Sequence, residues 1–544
     1  MTRRFVSVPI ALLCLLSHAA ADARTLNADH YRDRLAGMWM GQILGNYAGR
    51  PYEGDCQRGG LTDVLDWDSA SSFTRTDPWE GDDDTLFEYM YADLLAENAS
   101  PSGSDVKAQW EQHMKVPAFY IANRQARYLM NQGYTPPQTG SHERNVYWFA
   151  IDSQITTESV GAMAPGMRQR ASDLTGTLGG ATNEGYALQA AQFYAAMYAA
   201  APFGSDVEQL VQDGLAVVPA GSRTHQVITD TWDLYTADKA DGTLDWRATQ
   251  TSLFDNYGLR DDTGRYRGWV ESTVNTAMTT LAVLYGQGDF KQTVEIGALA
   301  GFDADCNPAT AGGLVGLMQG YDAILAAVPN ATATDYEIPT LINYDSVTTV
   351  DAVAGLLQQA AEGQILAAGG TISGTGDQRT YTLPDDVVTS PGAIVYPDGP
   401  GGLVGAVKAA GGTVGVSASV ERHQAADRGN LGQIMDGIID VTQNGHVPYW
   451  TNDGNNPQPA GGDWYQVEFD RTVTFTALTF HEGDALLVKS WDKPVIEKLR
   501  GGYFEDLIVE VLQDGQYVQV ELLSQSEPLE ALKAFQHIEL AFNP

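Results

Sequence analysis

Leu35-Ala36-Gly37-Met38-Trp39-Met40-Gly41-Gln42-Ile43-Leu44-Gly45-Asn46-Tyr47-Ala48-Gly49 places a glycine at every fourth position of an otherwise apolar run. At 3.6 residues per turn these glycines line one stripe of a helix. Each helix-interior glycine costs about 1 kcal/mol relative to alanine, so a stripe of four implies that another backbone comes very close. A second stripe, Gly312, Gly316 and Gly320, lies near the end of the same region. Between them apolar residues recur at spacings of three and four, as in Leu86, Met90, Leu94 and in Val274, Met278, Leu281. The pattern predicts an all-α domain over 24–330.

Working outward, residues 331–410 change composition towards Thr, Asp, Pro and Gly, with one helical stretch from Val350 to Leu366, and read as a connecting region or small subdomain. Over 411–544 alternation takes over: Val414 and Val416, Val467 and Phe469, then Leu507, Val509 and Val511. Gln513-Asp514-Gly515-Gln516 between two alternating runs is a strong hairpin signal. The expectation is a multidomain chain with a helical domain followed by a C-terminal β-sandwich.

At the other end, Arg3 and Arg4 precede an apolar run from Phe5 to Leu16, and Ala21-Asp22-Ala23 offers small residues at a cleavage site. Residues 1–23 therefore read as a signal peptide, with a secreted or periplasmic product. No stretch is long enough to predict a membrane span. The 544 residues carry 32 Lys+Arg against 69 Asp+Glu, a net charge of −37. So acidic a surface repels phosphate backbones, and no nucleic-acid partner is expected.

Two acidic clusters stand at helix starts. Asp82-Asp83-Asp84-Thr85 immediately precedes an amphipathic helix, and Gly301-Phe302-Asp303-Ala304-Asp305-Cys306-Asn307-Pro308 precedes the second glycine stripe. A helix N-terminus tolerates negative charge, but adjacent carboxylates repel unless a cation lies among them. All-oxygen ligands favour hard cations: Mg²⁺, with Mn²⁺ or Ca²⁺ as alternatives.

Four segments in order resemble the ADP-ribosylglycohydrolase family over about Leu26 to Val328: Gly41 to Glu53, Asp82-Asp83-Asp84-Thr85, Asn275 with Gly288-Asp289-Phe290, and Gly301 to Asp305. The resemblance implies an all-α enzyme with a binuclear Mg²⁺ centre held by Asp82, Asp83, Asp84, Asp303 and Asp305. It implies catalytic roles for Glu53, as an acid beside the metals, and for Asp303. Asn46, Asp152 and Asn183 are assigned to substrate binding, although Asp152 also reads as a buried structural acid. The chain departs from the family pattern at Asn46, where one form of the motif has Asp, and at Cys306, where the family often has a ligand Thr. The segment Ala181 to Gly185 also lacks the His or Asp common there.

The C-terminal run Gln433 to Gly437, Trp450 and Asp463 to Phe469 resembles a discoidin-like, galactose-binding-like module. Trp450 and Trp464 read either as sugar platforms or as sandwich core. Together these features predict a secreted Mg²⁺-dependent glycohydrolase acting on a furanosyl or ribosyl bond, in an extracellular glycan or an ADP-ribosyl conjugate. The alternative is a non-catalytic carbohydrate-binding protein on the same fold. In an oxidising compartment Cys56 and Cys306, the cysteines left after removal of Cys14, could form a disulfide.

Overall fold

The computed structural model describes residues 24–115, 119–258, 268–395, 399, 401–418, 431–437, 439, 442, 464–482, 506–530 and 535–543. Its centre is a pair of antiparallel helices, Ala28–Gly49 and Cys306–Gln319. Asn27 starts the first by accepting the N–H groups of Asp29 and His30. The glycine stripes face each other. A Cβ at Gly37 would fall within 3.0 Å of Gly316 and Gly320 backbone, one at Gly41 against Gly312, one at Gly45 against Pro308, and one at Gly49 against Ala304. The contact predicted from the spacing is thus one stripe against the other.

Further helices wrap this pair: Asp83–Glu97, Gly185–Ala200, Ser272–Gly286 and Phe290–Leu299 among them. They close one continuous core containing Tyr31, Trp39, Phe87, Tyr194, Tyr198 and Met278, each fully buried. At about 1.5–3 kcal/mol per large apolar side chain, that core dominates the stability of the helical body.

The helical body also takes in chain that the sequence reads as a connector. Asp335–Glu337 pairs in parallel with Trp79–Glu80 and antiparallel with Val347–Thr349. Thr380–Thr382 pairs with both Thr25–Asn27 and Thr371–Ser373. Helix Val350–Ala367 lies between these small sheets and buries Val353, Leu357, Ala361 and Ile365 in the common core. The Thr, Asp and Gly content marks turns around a packed helix, so residues 331 to about 383 extend the helical domain.

The C-terminal region is β-rich. Gln513 and Gln516 pair across Asp514 (φ 50°) and Gly515 (φ 82°), and the two positive φ values are those of a two-residue hairpin. Among the described residues the strands form three separate sheets of two or three strands: 414–418 with 465–469, 510–513 with 516–519, and 522–525 with 537–542 and 477–481. The sequence predicts a two-sheet sandwich in their place. Trp464 is 49% exposed and is not core. Trp450, like residues 1–23, lies outside the described residues. Among the described residues no helix is long and apolar enough to cross a membrane. Cys56 and Cys306 are both free thiols, so the disulfide left open by the sequence is not formed.

Candidate metal centre

The first acidic arm is built by its own helix. Asp82 is the N-cap of Asp83–Glu97, accepting the Asp83 N–H (2.9 Å), while Thr85 Oγ1 accepts the Asp82 N–H (3.3 Å). Asp84 Oδ1 accepts the Thr85 N–H at 2.7 Å. The free N–H groups and the helix dipole favour negative charge there.

The second arm is a strained turn held from outside. Gly301 (φ 83°) and Phe302 (φ 67°) both occupy left-handed backbone, a conformation that costs a bulky residue about 1–3 kcal/mol. Asn275, on helix Ser272–Gly286, fixes the turn. Its Oδ1 accepts the Asp303 N–H (3.1 Å) and the Asn307 Nδ2 (2.9 Å), while its own Nδ2 donates to the carbonyls of Trp269 and Glu271. Asp303 and Asp305 are buried at the start of Cys306–Gln319.

Asn46 joins the two arms. Its Nδ2 donates to Asp82 Oδ2 (2.9 Å) and to Asp305 Oδ2 (3.4 Å), and its Oδ1 accepts from Arg50 Nε (2.7 Å). Arg50 Nη2 lies 3.4 Å from Asp82 Oδ2, with its guanidinium over the Tyr47 ring. Asn46 is therefore a bridge between the two acidic arms. Glu53 is brought alongside by backbone bonds from Gly54 N to Phe302 O (2.9 Å) and from Phe302 N to Asp55 O (3.0 Å). Although the residue is exposed overall, its carboxyl is partly withdrawn from water, and that loss of hydration, followed by the charges of Asp305 and Asp82, pushes it up to about 7 against the pull of Arg50.

The five aspartates present a site that calls for cations. Burial first, and then mutual repulsion, raises Asp83, Asp84 and Asp303 well above the ordinary carboxylate range, and Asp305 is raised in the same way. Asp305 Oδ1 is buried without a hydrogen-bond partner. Asp303, Asp305 and Cys306 offer ligand atoms all within 4.8 Å of one another. Divalent cations would satisfy these oxygens and reverse the repulsion.

The other predicted residues divide. Asp152 Oδ1 accepts the Asn123 N–H (2.8 Å), Oδ2 has no partner, and burial raises the carboxyl to about 7. Its charge adds to the rise of the Asp83 carboxyl. Asn183 does not face the site as a substrate ligand. Both of its N–H bonds go to the carbonyls of Trp148 and Ala150, and its oxygen accepts the Ser153 N–H. It braces the turn that carries Asp152.

Two buried acids escaped the sequence reading. Glu88 Oε1 accepts the Ser159 N–H (2.7 Å), and Glu158 Oε1 accepts from the Thr310 hydroxyl (2.6 Å). The second oxygen of each has no partner. Burial raises Glu88 to about 7, and burial with the Glu88 charge raises Glu158 well above the usual range. The signal for Glu88 is its place one turn after Asp84, on the same helix face. No such local signal marks Glu158.

A family model described as ADP-ribosylglycohydrolase matches residues 27–359. No curated protein matches the sequence. Among solved structures, an "ADP-ribosylglycohydrolase-related protein complex" is similar at 14% identity, with 62% of this chain and 99% of that chain covered and a TM-score of 0.34.

Proposed function

Because the chain belongs to the ADP-ribosylglycohydrolase family, and so is a hydrolase of glycosidic bonds, we propose that it is an exported glycohydrolase whose two acidic arms hold a pair of divalent cations, with Mg²⁺ on the all-oxygen side. The observation that carries this reading is Asn46, hydrogen-bonded at once to Asp82 of one arm and Asp305 of the other. Acids far apart in sequence meet there, and beside them the buried Asp305 Oδ1 lacks a donor. When bound, the cations would polarise a water and fix sugar hydroxyls.

The chain's own residues supply the rest. Arg50 and Asn46 hold the Asp82 carboxylate in place, and Asn46 ties it to Asp305. Asn275 holds Asp303 in register. Glu53, open to solvent beside the turn, exchanges a proton with the reacting oxygens. In the metal-free site its carboxyl titrates near neutrality. Bound cations would offset the repulsion from Asp305 and Asp82 and leave it more acidic.

The substrate is a furanosyl or ribosyl linkage, in an extracellular glycan or in an ADP-ribosyl conjugate. The N-terminal leader and the β-rich C-terminal region support the glycan. Family membership supports the conjugate.

The test is sugar release by the protein from both substrate classes in parallel, with Mg²⁺ and with a chelator. Chelator-sensitive release from a glycan establishes polysaccharide breakdown, and release from ADP-ribosyl conjugates alone assigns the family's named substrate. No release from either, with no divalent metal bound, would leave a carbohydrate-binding protein on this fold.

A further inference from the structure

We propose that Cys306 is itself a metal ligand, so that the Asp303–Asp305–Cys306 half of the centre takes a borderline-soft cation of the Zn²⁺ class where the Asp82–Asp84 half takes a hard one. The inference rests on the metal-centre reading above and deepens it by naming the ion class of one half.

Three observations converge. The Cys306 sulfur and a carboxylate oxygen from each of Asp303 and Asp305 lie within 4.8 Å of one another, a spacing at which one ion can be shared. All three side chains are more than nine-tenths buried, at 4, 5 and 4% exposure in the order Asp303, Asp305, Cys306. Finally, Asp305 Oδ1 is buried with no hydrogen-bond donor, while its other oxygen is taken by Asn46. An acceptor left empty beside a thiol and a second acid points to a cation.

The donor set then selects which cation. Mg²⁺ demands near-octahedral oxygen ligands and discriminates against sulfur, whereas Zn²⁺, Co²⁺ and Cd²⁺ accept thiolate with carboxylate. The Asp82–Asp84 half offers oxygen alone, so the two halves differ in kind. Binding balances as Cys–SH + M²⁺ → Cys–S⁻–M²⁺ + H⁺, with the proton released to solvent as the sulfur–metal bond forms. Cys306 is a free thiol and is available for this.

The metal-free full chain is titrated with Cd²⁺ and Co²⁺ and monitored for sulfur-to-metal charge-transfer absorption. A Cys14→Ser, Cys56→Ser double variant leaves Cys306 as the only thiol. We expect one equivalent of the band in wild type and in the double variant, and its loss in Cys306→Ser. Zn²⁺ affinity should fall in Cys306→Ser by more than about 100-fold, beyond the loss that an outer partner of a metal site causes, with Mg²⁺ affinity not weakened. Metal binding with no band, or a band lost in the double variant, overturns the proposal while leaving a metal centre in place. If wild type binds neither Mg²⁺, Zn²⁺ nor Cd²⁺, the metal-centre reading itself fails, and this inference with it. The double variant keeps the test decisive even if Cys306→Ser does not fold.

Discussion

The two acidic arms reach one site by different means. Residues 82–85 carry their own scaffold: an N-cap, a reciprocal bond with Thr85 and the first N–H groups of a helix. Residues 301–307 also lead into a helix, but Asp305, its N-cap, makes no side-chain capping bond. Their strained turn is held by Asn275, which lies 28 residues before Asp303, and by the gap at Gly49 that admits the Ala304 carbonyl. A site with one self-supporting half and one borrowed half is most vulnerable far from its acids.

The sharpest way to break that asymmetry is Gly49→Val. The new side chain would drive into Ala304 and Asp305 backbone, which cannot yield as a flexible side chain would. Destabilisation of about 3 kcal/mol, the upper end of the usual overpacking range, should appear in denaturant unfolding together with loss of metal binding. Wild-type metal affinity in a folded Gly49→Val protein would show that the second arm does not depend on this contact.

Asn275→Ala should act on the second arm alone. Calorimetric titration is expected to show divalent-cation affinity down by about 10- to 100-fold, with the circular dichroism of the helical body retained. An unchanged affinity would mean that the turn holds Asp303 without help.

Both arms share one electrostatic consequence. Without metal, Asp83, Asp84, Asp303, Glu88, Glu158 and Asp152 have raised pKa values in the fold. Between the ordinary carboxylate range and about 7 the native state then binds more protons than the unfolded chain, so stability falls as pH rises. The metal-free protein should melt at least about 2–4 °C higher at pH 5.5 than at pH 8, the shift that about 1 kcal/mol produces in a domain of moderate size. Saturating Mg²⁺ should flatten that slope by stabilising the carboxylates. A metal-free melting temperature that rises with pH would contradict the burial of these acids.

Least affected should be the self-supporting arm. Thr85→Val removes one capping bond and the contact with the Tyr336 hydroxyl, and should cost about 1 kcal/mol in thermal unfolding. Metal affinity should change far less than in Asn275→Ala. The reverse ranking of these two variants would overturn the comparison.

Much of the site was legible from spacing. Asp82-Asp83-Asp84 and Asp303-x-Asp305 announce themselves because local chain geometry places neighbouring carboxylates together, whatever the rest of the fold does. Asn183 was misassigned and Glu158 went unseen for the opposite reason. An amide or acid is a ligand, a brace or a buried partner according to which backbone groups surround it, and its neighbours in sequence do not supply those. The C-terminal region shows the same limit. The Asp514-Gly515 turn was readable from two residues, whereas how the short sheets stack depends on contacts between distant strands.

The sequence by itself determined the glycine-striped helix pair, the helical domain, the two acidic arms and the C-terminal hairpin, because helix pitch and strand alternation convert spacing directly into a shared face. Only the tertiary structure decided that Asn46 bridges the arms, that Asn275 supports one of them, that helix Val350–Ala367 belongs to the core and that Cys306 faces two aspartates as a free thiol. Each of these depends on groups brought together by packing across long stretches of chain. Burial then fixes their chemistry, by removing the water that would otherwise have satisfied them.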